Sequence, residues 1–145
     1  MIVRYLDFET ICLINERFCG QGAGVRDRNG VRSVALRPQA TWEGADLFPR
    51  VVDKAAAYLH GFATTQYFRD GNKRTSFLCA TVFIEGNDLI FDGPTIDEAE
   101  AFLLSVAAKE RSIADVALWL DRYSFGRRAW KRLQAWQDLE DYGHL

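Results

Sequence analysis

Two histidines, three cysteines, three prolines and a single methionine are all that the 145 residues contain of those types. The scarcity excludes several chemistries. Cys12, Cys19 and Cys79 have no metal-ligand spacing, and their odd number leaves at least one thiol free. They read as reduced, small apolar side chains of a cytoplasmic protein. No apolar run approaches the roughly 20 residues needed to span a bilayer. Met1 to Leu6, followed by Asp7 and Glu9, lacks the basic region and apolar core of a secretory signal, so no membrane partner is expected. A formal net charge of −2 withholds the positive excess that general nucleic-acid binding draws on, and no direct DNA binding is expected. Internal repeats and low-complexity segments are missing too. What is there is ordinary in bulk: 48% hydrophobic and 26% charged residues suit one soluble domain with a substantial core.

The apolar periodicity predicts an all-α fold with at most a minor short β pair. Asp7 can cap a helix to about Phe18, with Ile11, Ile14 and Phe18 at helical spacing. Gly20, Gly22 and Gly24 break that pattern. They read as a flexible connector, because no Lys-Ser/Thr follows and no strand precedes. Val31 to Leu36 predicts a short helix ended by Pro38. A long central helix is expected from about Asp46 to Thr64, with Pro49 in its first turn and Val52, Ala55, Ala56 and Leu59 as its apolar stripe. The next runs from Thr75 to Glu85, with Phe77, Leu78, Thr81, Val82 and Ile84 mostly buried, and stops at Gly86-Asn87. Thr95 with Glu98 opens a helix over 96–109, and Ser112 with Asp115 another over 113–122. Two β-like runs, residues 2–6 and Leu89 to Phe91, are expected to pair or pack extended.

A C-terminal helical stretch over 123–145 is expected to pack on the same domain. Within 127–141 the basic Arg127, Arg128, Lys131 and Arg132 come first, and Asp138, Glu140 and Asp141 come last. That order opposes the helix dipole, so the tail needs tertiary or partner support.

The eight residues Phe68-Arg69-Asp70-Gly71-Asn72-Lys73-Arg74-Thr75 carry the chemistry. Gly71 lets the backbone turn tightly and approach an anion, while the first N–H groups of the following helix point outward unsatisfied. Lys73 and Arg74 add full positive charge, and Arg can bind phosphate oxygens bidentately. Asp70 can hold a Mg²⁺ that bridges such phosphates. The same residues also make an ordinary Asp-capped helix start with a solvated basic pair. Spacing alone does not choose.

This stretch resembles the signature of the Fic/Doc (Fido) superfamily, His-x-Phe-x-Asp/Glu-Gly/Ala-Asn-Gly/Lys-Arg. Lys73 followed by Thr75 resembles the death-on-curing (Doc) toxin branch. Further similarity lies in Arg4-Tyr5-Leu6, Gly24 to Gly30, Arg37-Pro38-Gln39-Ala40, and Phe91 through Thr95, so it spans roughly residues 1 to 122. The resemblance implies a mainly helical Doc-like Fido domain. It also implies a toxin of a type II toxin–antitoxin pair. Such a toxin is a protein kinase moving the γ-phosphate of ATP, with Mg²⁺, onto a hydroxyl of a translation factor. Elongation factor Tu is the family's known target. By position, Phe68 would anchor the loop and Asp70 would bind Mg²⁺. Gly71 and Asn72 would cradle phosphates, and Lys73 and Arg74 would neutralise them. The implied partner is a cognate antitoxin whose disordered segment folds on the toxin.

One departure stands out. Where the family has its catalytic His, this chain has Gln66, whose amide accepts hydrogen bonds but has no useful basicity. Losing a positioned base costs about 10²- to 10⁴-fold in rate. Gln66 is read either as an inactivating substitution or as a natural variant with weak or altered activity. His60, six residues upstream on a helix, points away from position 66 and reads as a partly buried structural histidine. AMP-transferring Fic enzymes usually have Gly at the position of Lys73 and a second Arg at that of Phe77, so both residues favour the kinase arrangement. Two alternatives stay open: a catalytically inactive nucleotide- or antitoxin-binding module, and AMP transfer to a protein hydroxyl. Arg26, Arg28, Arg32 and Arg37 flank the expected site, as substrate or nucleotide contacts or as solvated loop residues.

Overall fold

The Asp7 carboxylate accepts a hydrogen bond from the Thr10 N–H (2.8 Å) and starts the first helix, α1 (Phe8–Cys19). The structure, a computed structural model, describes residues 2–143. Asp27 caps α2 (Arg28–Leu36) in the same way through the Gly30 N–H, so this helix begins three residues before the expected Val31. A hairpin that the sequence reading missed follows, β1 (Thr41–Trp42) paired antiparallel with β2 (Ala45–Asp46). The hairpin moves the start of the central helix. Asp46 is engaged in β2 and also pairs with the buried Lys54 Nζ at 3.3 Å. α3 therefore spans Val51–Ala63, Pro49 lies ahead of it rather than in its first turn, and Arg50 with Asp53 forms the N-terminal cap.

α4 (Asn72–Glu85) runs against α3 and forms with it the main helix contact of the fold. β3 (Leu89–Phe91), α5 (Ile96–Ala107), α6 (Ile113–Arg122), β4 (Ser124–Gly126) and α7 (Arg127–Tyr142) complete the chain. Among the described residues the fold is mainly α-helical, with two short antiparallel strand pairs. The partner of Leu89–Phe91 is Ser124–Gly126 and not residues 2–6. The reason lies in how the N-terminal backbone is satisfied. Asn87 accepts from the Arg4 N–H (2.8 Å) and donates to the Arg4 carbonyl (3.0 Å), and the Tyr58 hydroxyl accepts from the Leu6 N–H (3.0 Å). Side chains take the bonds a strand partner would have made.

α3 lies at the centre, with Val52, Ala55, Ala56, Tyr58, Leu59 and Phe62 all buried. Its run of alanines lets α4 and α6 approach closely. Each large apolar side chain buried here contributes about 1.5–3 kcal/mol. On α4 the buried set is Thr75, Ser76, Cys79, Ala80, Phe83 and Ile84. Of the expected positions, Ile84 is buried, Phe77, Leu78 and Thr81 are half-buried, and Val82 is exposed. An aromatic cluster joins α4, α5, α6 and the second strand pair. Phe102 stacks on Trp119 at 4.0 Å, Trp119 meets Tyr123 edge-on, and Phe91 bridges Tyr123 and Phe77. α7 contacts β3 and β4. Trp130 is half-buried, and from Lys131 to Glu140 the helix is exposed.

Candidate functional site

Between α3 and α4 the chain makes a loop over residues 64–71 whose backbone is fixed from several directions. Thr64 and Thr65 fold their hydroxyls back onto the His60 and Gly61 carbonyls (2.6 and 2.8 Å) and end α3. The Tyr67 carbonyl accepts from the Arg26 and Asp27 N–H groups (2.8 and 3.0 Å), and the Arg69 N–H donates to the Gly24 carbonyl (2.8 Å). Gly30 lies directly under the Tyr67 ring, where a Cβ would come within 2.4 Å. Phe68, fully buried against Phe62 at 5.5 Å, pins the middle of the loop into the core.

Two asparagines finish the construction. Asn72 accepts from the Phe68 N–H and donates to the Phe68 carbonyl, both at 3.0 Å, and donates also to Gln66 Oε1 at 3.2 Å. Asn15, buried on α1, donates to the Asp70 carbonyl and to Thr75 Oγ1 (each 3.0 Å) and accepts from the Gly24 N–H (2.9 Å). No motif marks Asn15 in the sequence, where its only local signal is an amide beside Ile14 on the apolar face of α1.

Gly71 then turns the chain into α4 with φ +73°, and an added Cβ would meet Cys19 Sγ at 2.1 Å. The turn needs glycine on both counts. The Thr75 N–H bonds the Gly71 carbonyl (2.8 Å) as the first bond of α4, and the N–H groups ahead of it have no intrahelical acceptor. Their residues line a cavity of about 600 Å³, with Gln66, Asp70 and Gly71 on the same side and α5 on the other, where apolar Leu103 is joined by the carboxylate Glu100. Lys73 is exposed, and Arg74 Nη1 donates to the Phe18 carbonyl at the end of α1 (2.9 Å). Helix N-terminus and two cations meet in one place, an arrangement suited to a polyanion.

Asp70 uses Oδ1 to accept from the Gly71 N–H (2.7 Å). Among the described residues no group of three or more His, Cys, Asp or Glu forms a metal cluster. Asp70 and, from α5, Glu100 both line this phosphate-sized cavity, and such a lining fits Mg²⁺, which takes one or two carboxylates and completes its shell with substrate phosphates and water.

Gln66 is exposed and lines this cavity together with a second one, of about 700 Å³, on its other side. Arg26, Arg28, Arg32 and Tyr67 line the second cavity. Arg28 and Arg32 rest on the Phe8 ring at 5.1 and 4.7 Å. Arg37 lies elsewhere, close enough to His60 to disfavour its charge. His60 lines neither cavity, and burial first and Arg37 second hold its pKa below the ordinary histidine value. The motif positions Gln66, Asp70, Gly71, Asn72, Lys73 and Arg74 thus share one cavity, with Phe68 behind them.

A family model described as the Fic/DOC family matches residues 5–84, which contain the whole loop and α4 as far as Ile84. The protein named Toxin Doc from Mycolicibacterium smegmatis (strain ATCC 700084 / mc(2)155) is 36% identical over 118 residues, covering 80% of this chain and 90% of that one.

Proposed function

The chain belongs to the Fic/DOC family, and from that premise we propose that it is a Doc-like toxin of a type II toxin–antitoxin system, built to move the γ-phosphate of ATP onto a hydroxyl of a translation factor, elongation factor Tu. The observation that carries this reading is the single cavity shared by Gln66 and residues 70–74 at the α4 N-terminus. Phosphoryl transfer asks little covalent chemistry of a protein; positioning and charge stabilisation dominate. Lys73, Arg74 and the leading N–H groups of α4 would hold the phosphates, and Asp70 would hold Mg²⁺, which when bound neutralises charge on the transferred group. The acceptor hydroxyl would enter beside Gln66, at the wall between the two cavities. Lys73 and Phe77, at positions where AMP-transferring relatives carry Gly and Arg, favour γ-phosphate transfer over AMP transfer.

Gln66 decides how active this form is. Its carbonyl accepts from Asn72 (3.2 Å), which leaves the NH₂ group, a donor, as the other polar end of the side chain. A donor can orient a phosphate or a hydroxyl oxygen, but it cannot take a proton. That observation favours a second reading, a catalytically silent module that binds nucleotide or antitoxin. We expect Gln66→His to raise transfer by about 10²- to 10⁴-fold, the usual contribution of a positioned general base.

The test incubates both forms with purified elongation factor Tu, Mg²⁺, and γ- or α-labelled ATP. Label from γ with the Gln66→His protein supports the kinase reading, and label from α would replace it with AMP transfer. No label from either form, with nucleotide binding intact by calorimetry, would leave the binding module. The partner follows from the same reading: a cognate antitoxin whose disordered segment folds on this chain, expected to suppress Gln66→His activity at equimolar ratio.

A further inference from the structure

α7 departs from the helices around it, because most of its large apolar side chains face water. Leu133, Trp136 and Leu139 are 48%, 68% and 67% exposed, and their three-residue spacing places them on neighbouring turns of one face. Trp130, one turn earlier, is half-buried. Arg132 lies four residues before Trp136 and Glu140 four residues after it, so both stand on the same face as Trp136, inside the apolar stripe. Basic residues Arg127, Arg128, Lys131 and Arg132 occupy the first half, and Asp138 and Glu140 lie in the second. This order sets cations at the positive end of the helix dipole and anions at the negative end, which destabilises the helix taken alone.

We propose that this face is covered by the α7 of a second copy of the chain, packed antiparallel about a two-fold axis near Trp136. Antiparallel pairing turns each liability into a match. The basic half of one helix runs beside the acidic half of the other, Arg132 of one copy comes level with Glu140 of its mate, and the two helix dipoles oppose. The three apolar side chains of each copy leave water together. A parallel arrangement would instead set basic half against basic half. The pairing is isologous, so one surface serves both copies and the assembly closes at two. It is independent of how the α4 site is read.

The contact is modest. A helix of 16 residues is about 24 Å long, and one helix pair buries an area at the low end of specific interfaces, below about 1,200 Å². The dimer should therefore be weak, populated at about tens of micromolar, and loosened by salt because exposed charges are screened beyond about 10 Å at 0.1 M.

The test is sedimentation equilibrium of the full chain over a wide concentration range, at low and high salt. The expected result is a mass rising from monomer to twice that value, with about tenfold weaker association at high salt. Trp136→Glu should hold the chain at monomer mass with unchanged circular dichroism, since the side chain it replaces is 68% exposed. Arg132→Glu, and separately Glu140→Arg, should each weaken self-association about tenfold. An equimolar mixture of the two variants should dimerise again. Monomer mass throughout for the unaltered chain, or a dimer indifferent to Trp136→Glu, would overturn the proposal. Unchanged association in both charge-inverted variants would overturn the antiparallel order, and failure of the mixture to pair would overturn the charge match.

Discussion

The loop over residues 64–71 and the helix α7 both lie near the surface, and they are held in opposite ways. The loop has almost no regular structure, yet side chains and carbonyls from α1, the turn at Gly24, and α4 bind its backbone at 2.8–3.0 Å. α7 has all the regularity of a helix and is exposed from Lys131 to Glu140. The difference separates order from regularity. An irregular segment becomes precise when distant partners satisfy its polar groups, whereas a regular one stays open to the next molecule when its side chains have no neighbour.

Substitutions that test this contrast should fall in a clear order of size. Gly71→Ala comes first. It forces a side chain into a left-handed backbone, at about 1–2 kcal/mol, and pushes on Cys19 Sγ, so a total loss of about 3 kcal/mol in urea unfolding is expected. A loss below about 1 kcal/mol would mean that the α1 end yields easily and that the loop is less constrained than its bonds suggest. Asn15→Ala is next. It strips partners from the Asp70 carbonyl, the Thr75 hydroxyl and the Gly24 N–H, and should cost about 2 kcal/mol. The same protein should bind ATP more weakly by calorimetry, although Asn15 is absent from the cavity wall. Leu139→Ala is the smallest. At low micromolar concentration, where the chain is monomeric, its unfolding free energy should stay within about 0.5 kcal/mol of the unaltered chain. A larger drop would show that α7 is tied to the domain more firmly than its exposure implies.

Legibility in the sequence followed the range of the interactions. Gly71, Asn72, Lys73 and Arg74 are contiguous, so their chemistry and their place at a helix start could be read directly. Capping was readable for the same reason, as at Asp7 and at Ser112 with Asp115, whose carboxyl is held below the usual aspartate range by its bonds to Ser112. Strand pairing was not. Leu89–Phe91 chose Ser124–Gly126 across the whole of α5 and α6, and nothing local marks that choice. The start of α3 was misplaced because Asp46 is claimed by a hairpin and by Lys54, both tertiary facts. Val82 matched the apolar pattern but faces solvent, since α4 is covered unevenly by α3, α1 and α5. The part of the site hardest to read was the support behind it, since Asn15 has partners 55 and 60 residues away.

That separation bears on the order in which the molecule acquires its parts. Contacts between residues far apart in the chain form late, because closing the intervening loop costs entropy before any bond repays it. The helices around Asn15 and around Thr75 can each form early, but the cavity at the start of α4 has no fixed floor until α1 docks. α1 and the motif are one unit of folding, divided in sequence by two helices and a hairpin. A deletion confined to the first twenty or so residues would leave every motif residue in place and still remove the site.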